Sequence, residues 1–417
     1  MSRLEKLSDP VTILFDGEPV VAQRGEPVAV ALVAGGHLAL ARSPKFHRPR
    51  GPACQRGACD GCLARVDGVP NVMTCRVAAV DGMKIETQNV VGSRDRDILR
   101  MADWFFPDGM NHHELFAGVP GVQQVMQAFA RRVAGLGKLP TEASPPRAAR
   151  RRNADALVVG SGPSGMAAAL RLAERGRSVE VLDDDLTWGG GLRALVGADL
   201  ERWRPLLGAF EEARSAGRIV VRLATTAGAV YGTDVLVASE AGVEIVTART
   251  LVLAPGAHDG VLPFEGNDGP SVMSARAGGR LLSRGVVPGE QIVVAVIEGG
   301  GPFGEAFARA HAPAVLVRGT PVDSRGSGRV REWTFSTDRG ERRLPADVLL
   351  VDAPRAPAYE LCAQAGAELA HEPRGFVTRT GPGGRIRDGV FAVGEAVGTR
   401  LDPTAVDREA VAVATGA

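Results

Sequence analysis

The chain has 417 residues, 45% of them apolar and 23% charged, with a formal net charge of +1. That length suits two or three domains with full cores, and the near-neutral charge excludes the electrostatic footprint of a nucleic-acid binder. No apolar run of about 18 residues occurs, so no membrane span is expected; the polar opening lacks the apolar stretch of a secretory signal, so a cytoplasmic location is expected.

Residues 11–15 read as a strand, 16–18 as a turn, 19–22 as a second strand and 28–34 as a helix that Gly35-Gly36 stops. Residues 63–66 and 84–87 read as later strands. This strand–hairpin–helix opening predicts a β-grasp domain over residues 9–90. Four of the chain's five cysteines fall inside it, spaced Cys54-x4-Cys59-x2-Cys62-x12-Cys75. The pattern C-x4-C-x2-C…C is that of plant-type [2Fe-2S] sites. Two irons need four thiolates, and three must come from one tight loop. The small residues Ala53, Gly57, Ala58 and Gly61 let backbone amides approach the sulfurs. A structural zinc site pairs two C-x2-C knuckles, and only Cys59 and Cys62 have that form. Disulfides are disfavoured in a reducing compartment. Cys54, Cys59, Cys62 and Cys75 are therefore the expected cluster ligands. Cys362, alone in an Ala-rich stretch, is expected to be a small core residue.

Residues 91–153 read as a helical connection and linker. The pattern is helical over 95–137, broken at Pro107-Asp108-Gly109, and residues 138–153, with three prolines and the run Arg150-Arg151-Arg152, read as exposed linker. Adjacent histidines point apart on a helix, so His112-His113 with Glu114 reads as surface.

From residue 154 apolar strands alternate with helical stretches, the signature of a mostly parallel α/β sheet. The strand 155–159 leads into Gly160-Ser161-Gly162-Pro163-Ser164-Gly165, then a helix, then a second strand closing on Asp183 with Asp184 beside it. In this strand–turn–helix context G-x-G-x-x-G is a dinucleotide fingerprint. Gly160 makes the turn, and Gly162 admits the pyrophosphate to the helix N-terminus with Pro163 and Ser164. Gly165 lets helix and strand pack closely, and Asp183 is expected to accept hydrogen bonds from the ribose. Two further segments favour FAD over NAD at this site. Gly190-Gly191-Leu192 follows the second strand, where flavoproteins with two dinucleotide domains carry a glycine pair. Gly394-Glu395 lies in a segment that resembles their closing FAD motif, with Glu395 in place of the usual Asp. Ala254-Pro255-Gly256 resembles their central A-T-G segment, with Pro255 replacing Thr. A second glycine-rich junction, Gly299-Gly300-Gly301-Pro302-Phe303-Gly304, resembles an NAD(P)H turn. It lacks a clear ribose reader: the next strand ends on Arg318, which reads as a surface arginine.

Two stretches carry a family resemblance. Residues 42–51, Arg-Ser-Pro-Lys-Phe-His-Arg-Pro-Arg-Gly, resemble the S-x-K-x-H-R-P-R-G segment of sarcosine oxidase alpha subunits and hydrogen cyanide synthase proteins. Residues 254–259 and 264–270 resemble their A-T-G-A-H…F-P-G-N-D segment. The resemblance implies a β-grasp ferredoxin-like (α+β) domain followed by a Rossmann-like α/β fold with two dinucleotide-binding domains. The second part would span residues 154–417, with a second nucleotide-type subdomain inserted at about 264–345. It also implies a hetero-oligomer in which a D-amino-acid-oxidase-like beta subunit oxidises an amine or amino acid, with an FMN between the subunits. The full cysteine set, and a chain that ends soon after the closing motif without a folate domain, move the resemblance toward opine oxidase, hydroxyproline dehydrogenase and cyanide synthase assemblies. Electrons would then pass to the [2Fe-2S] cluster and a downstream acceptor, and no catalytic residue for substrate is expected on this chain. The alternatives are a self-contained NAD(P)H-dependent FAD/[2Fe-2S] reductase and an assembly subunit holding NAD or ATP as a structural nucleotide. His47 and its neighbouring arginines read as a loop that holds the fold and offsets cluster charge.

Overall fold

The computed structural model describes residues 2–44, 46–101, 121–122, 124–125, 148–325 and 330–417. Most of the expected 95–137 helical region, the His112-His113 pair and the proline-rich part of the linker lie outside these residues. Among the described residues no helix is long and apolar enough to cross a membrane.

The N-terminal unit is a five-stranded sheet in the order Glu18–Gln23, Pro10–Phe15, Lys84–Glu86, Leu63–Val66, Val69–Met73. The first hairpin is antiparallel, and the closing strand pairs parallel to Pro10–Phe15, as a β-grasp requires. Alternation in Pro10–Phe15 turns Val11, Ile13 and Phe15 inward, where the helix Val28–Ala34 packs Val28, Ala29, Ala31 and Leu32 against them, while its Val30 and Val33 join the core of the second unit. Cys62 and Cys75 belong to the same core, so the cluster loop is rooted in it.

The second unit is built on an eight-stranded sheet. Arg150–Val159 lies between Val179–Leu182 and Gly242–Leu253, all parallel, and Val390–Ala392 pairs with the end of Gly242–Leu253. One expectation changes here. Arg150-Arg151-Arg152 is the start of a ten-residue strand, not a linker. Its register with Glu244–Val246 is closed by ion pairs, Arg152 with Glu180 (2.5 Å) and Glu244 (3.2 Å) and Arg151 with Asp234 (3.2 Å). The charge run that looked solvated is complemented across neighbouring strands.

The inserted unit has a four-stranded parallel sheet ordered Val272–Ser274, Val348–Asp352, Ile292–Val296, Val315–Arg318, with an antiparallel three-stranded sheet, Thr320–Arg325, Glu332–Thr337 and Gly340–Pro345, interposed in sequence before Val348–Asp352. Its closing strand lies beyond residue 345, so the insertion runs further than the sequence pattern indicates. The N-terminal and inserted units interlock. Arg50 pairs with Asp268 (2.7 Å), Ser274 N–H donates to Ala53 O (2.9 Å), and a Cβ on Gly51 would fall 2.4 Å from Pro270 O. His47 is buried with its Nδ1 2.7 Å from Asp97 Oδ2, and Arg42 donates to His47 O, which fits the fold-holding reading of this loop. Cys362 is fully buried in the core beneath the large sheet, and burial pushes its thiol up to about 11.

Candidate cluster and dinucleotide site

The loop 54–62 and the turn Thr74–Arg76 bring four sulfurs together. Their thiols form one chain of contacts, Cys59 with Cys54, Cys54 with Cys75, and Cys75 with Cys62. Backbone amides point at them. Arg56 and Ala58 donate to Cys54 Sγ (3.4 and 3.3 Å), and Gly57 donates to Cys75 Sγ (3.2 Å). Hydrogen bonds from Cys59 and Cys75, with those amides, hold the Cys54 thiol far below its ordinary value. The Cys75 thiol lowers Cys62 likewise. The sulfur pairs 54/59 and 62/75, inside a cage of N–H donors, fit two irons with two protein sulfurs each. Cys54, Cys62 and Cys75 are buried, while Ala58 and Asp60 mark the exposed side of the loop.

The first glycine turn opens on a long cleft. Lining it are Gly160, Gly162, Pro163, Ser164, Asp183, Asp184, Gly190, Gly191, Ala254, Gly256, Gly394 and Glu395, the expected set with two exceptions. Gly165 is buried behind the loop, where a Cβ would fall 1.9 Å from Gly160 O. Leu192 instead packs in the hydrophobic core behind the cleft, because its 3₁₀ turn directs it inward. A Cβ on Gly162 would meet no protein atom within 4 Å, whereas one on Gly190 would lie 2.7 Å from Gly162 Cα. Two glycine turns thus face each other across a space that side chains would fill, at the N-terminus of the twelve-residue helix Pro163–Glu174. That cradle fits a dinucleotide pyrophosphate.

The acidic residues are arranged differently from expectation. Asp183 turns back on the glycine loop. Its Oδ2 accepts from Ser161 N–H (2.7 Å) and Ser161 Oγ (2.5 Å), and its Oδ1 accepts from Asp185 N–H (2.8 Å). Burial raises its pKa. Glu395 is held by Arg355, whose Nε donates to Oε1 at 2.7 Å. Sequence reasoning missed the basic wall of the cleft, formed by Arg56, Arg276 and Arg280. Arg280 pairs with Asp185 (2.6 Å); burial works against its charge, but Asp185 outweighs burial and raises its pKa. Burial, with Arg56 nearby, pulls Arg276 down to about 10 despite its 2.7 Å contact with Asp259. Gln55 Nε2 and Arg280 Nε are buried without partners at this wall. No periodicity or glycine motif marks these residues; only the three-dimensional approach of the cluster loop does.

The second junction is closed. Asp352 Oδ1 and Oδ2 accept from the amides of Gly301 (3.1 Å) and Gly304 (2.7 Å). A Cβ on Gly301 would fall 1.6 Å from Arg355 Nη1. Arg318 pairs with Glu305 at the surface.

These features define an iron–sulfur flavoprotein oxidoreductase, with a [2Fe-2S] cluster in its N-terminal domain and FAD in its dinucleotide domain. The sequence matches the 2Fe-2S iron-sulfur cluster binding domain over residues 8–90 and the pyridine nucleotide-disulphide oxidoreductase family over residues 154–317. It is 31% identical over 375 residues to sarcosine oxidase subunit alpha of Rhizobium meliloti, covering 81% of this chain and 37% of that protein. It is 37% identical over 79 residues to hydrogen cyanide synthase subunit HcnA of Pseudomonas aeruginosa, covering 19% of this chain and 75% of that one. The solved L-proline dehydrogenase of P. horikoshii has the same fold, with a TM-score of 0.72 at 21% identity over 99% of this chain and 74% of that one. The chain belongs to the sarcosine oxidase alpha subunit family and carries a 2Fe-2S domain fused to a dinucleotide-binding domain; opine oxidase A and the hydrogen cyanide synthase subunits are further relatives. It spans little more than a third of the length of the sarcosine oxidase relative.

Proposed function

We propose that the chain is the electron-transfer subunit of a multisubunit, flavin-dependent dehydrogenase or oxidase that acts on the CH–NH bond of an amine or amino acid. A D-amino-acid-oxidase-like partner subunit would oxidise the substrate, and this chain would deliver the electrons to a downstream acceptor, in the cytoplasm, where thiols stay reduced. The observation that carries this reading is the shared wall. Arg56 touches the cluster ligand Cys54 through its backbone and lines the dinucleotide cleft with its side chain. The relatives named above, subunits of sarcosine oxidase and hydrogen cyanide synthase, supply the substrate class and the partner.

Cys54, Cys59, Cys62 and Cys75 would hold the cluster. Gly160, Gly162, Pro163, Ser164, Gly165, Gly190, Gly191, Ala254, Gly256 and Gly394 would form the dinucleotide cradle; Asp183, through Ser161, and Glu395, through Arg355, would fix its shape. When bound, FAD takes up two electrons and releases them singly, and the cluster stores one. Asp352 and Arg355 argue against the self-contained NAD(P)H reductase, because they occupy the turn such an enzyme needs open. The test is purification of the chain with its partners from native cells, followed by anaerobic addition of secondary amines and amino acids. Bleaching of the cluster absorbance by such a donor, absent in the isolated chain, is expected. Bleaching of the isolated chain by NADH or NADPH, with no amine response from the complex, would reverse the assignment.

A further inference from the structure

We infer that the dinucleotide site and the cluster are electrostatically coupled through Arg56, with Arg280 supporting the link, so that an anionic dinucleotide lowers the cluster's midpoint potential and cluster reduction loosens the dinucleotide. The inference rests on the cofactor assignment above and holds whatever the partner subunit is.

Arg56 is placed for both tasks. Its N–H lies 3.4 Å from Cys54 Sγ, and its guanidinium lines the cleft, donating to Ala257 O at 2.5 Å. Among the described residues it has no carboxylate partner, so none neutralises the charge that its side chain carries from the cluster loop into the cleft. Arg280 makes a second tie between the cluster loop and the cradle. One Nη donates to Gln55 O in the cluster loop (3.2 Å) and to Asp185 (2.6 Å), and the other donates to Gly190 O in the cradle (3.3 Å). A third tie comes from Arg76, next to the ligand Cys75, which pairs with Asp184 at the cleft edge (3.0 Å). The cluster loop is therefore a wall of the cleft.

The sign follows from charge. One electron from an external reductant adds one negative charge to the cluster, and an uncompensated cation beside it stabilises the reduced form. Phosphates entering the cleft compensate Arg56 and withdraw that stabilisation, so the potential falls. By linkage, the reduced protein must then bind the same anion more weakly, by the same factor.

The test is an anaerobic dithionite titration of the full chain after its FAD has been removed. The cluster is followed by electron paramagnetic resonance, with and without saturating ADP, which supplies the charged half of the dinucleotide but no redox-active ring. ADP is expected to lower the midpoint by about 59 mV, equivalent to ten-fold weaker ADP binding to the reduced protein. Arg56→Lys should keep most of that shift. Arg56→Gln should lose more than half of it while retaining iron and sulfide, since the backbone amide on Cys54 is untouched. A midpoint indifferent to ADP in the wild type, or equal shifts in wild type and Arg56→Gln, would overturn the coupling alone. Failure of ADP to bind, or of the cluster to assemble in the wild type, would overturn the cofactor assignment with it.

Discussion

The two turns Gly160–Gly165 and Gly299–Gly304 share the sequence G-x-G-P-x-G, a parallel strand before them and a helix after them, yet one opens on a cleft and the other is filled from within. The difference lies at the end of the neighbouring strand. Ala254 stands against the first turn, a Cβ on Gly165 lying 3.4 Å from its Cβ; Asp352 stands against the second, a Cβ on Gly304 lying 3.0 Å from its Cβ. An apolar residue there leaves the helix N-terminus to a ligand. A carboxylate there supplies the anion internally, on the same amides a phosphate would use. Arg355, 5.0 Å above the Phe303 ring, completes the filling and ties it to Glu395 in the open cleft. A glycine fingerprint thus licenses close approach to a helix N-terminus without saying what approaches.

The largest effect expected from this contrast is at Gly162. Gly162→Val places its branch in a part of the cradle where the protein offers no contact within 4 Å. Dinucleotide affinity should fall by about 100-fold or more, roughly 2.7 kcal/mol, while the melting temperature of the nucleotide-free protein stays near wild type. Equilibrium dialysis with FAD checks the first and thermal melting the second. Retained affinity would mean the cleft is not where the dinucleotide binds.

The next effect concerns the internal anion. Burial raises the Asp352 carboxyl from 3.8 to about 6. A raised folded-state value means the native protein keeps a proton the unfolded chain has released. The stability this gives is fully present below about pH 3.8 and is lost as pH rises through about 6. The slope reaches at most about 1.4 kcal/mol per pH unit within that window. Urea unfolding of wild type and Asp352→Asn between pH 5 and pH 7 should show the variant missing this component. Parallel pH dependence in the two proteins would remove Asp352 from its capping role.

Smaller still is Gly301→Ala. Its Cβ would meet Arg355 Nη1 at 1.6 Å, but that atom is the far end of a flexible side chain, and the clash is relieved by swinging the guanidinium off Glu395. A cost of about 1 kcal/mol is expected, within the range for overpacking, read as a small drop in the urea midpoint. A cost of several times that would mean Arg355 is locked in place and cannot yield.

What the sequence made legible follows the same division. The β-grasp opening, the cysteine loop and the first glycine turn rest on local rules, namely alternation, ligand spacing and a strand–turn–helix junction, so they could be located from the chain alone. Asp352 and Arg355 could not, because they lie some fifty residues beyond the turn they fill and become neighbours only through strand register. Arg56 and Arg280 were hidden for a similar reason, since domain interlock rather than any motif brings them to the cleft. Leu192 shows the reverse error, where a residue inside a recognisable motif points away from the site. The Arg150-Arg151-Arg152 run was mistaken for linker because its neutralising partners, Glu180, Glu244 and Asp234, are distant in sequence.

The smallest expected effect is none, and it bears most directly on what the chain does. If Asp352 and Arg355 fill the second junction, saturating NADH or NADPH mixed anaerobically with the isolated protein should leave both flavin and cluster oxidised, because Asp352 already holds the Gly301 and Gly304 amides that a phosphate would use. The first turn does not rescue the reaction, since there a nicotinamide nucleotide would have to displace FAD. An unchanged visible spectrum over many minutes is therefore the outcome that fits a subunit fed by a partner. Rapid bleaching would require Arg355 to leave Gly301 and Asp352 to surrender two hydrogen bonds, and Arg355→Ala should then speed it. If bleaching occurs in the wild type, the two turns are alike in function as they are in sequence, and the chain is a reductase in its own right.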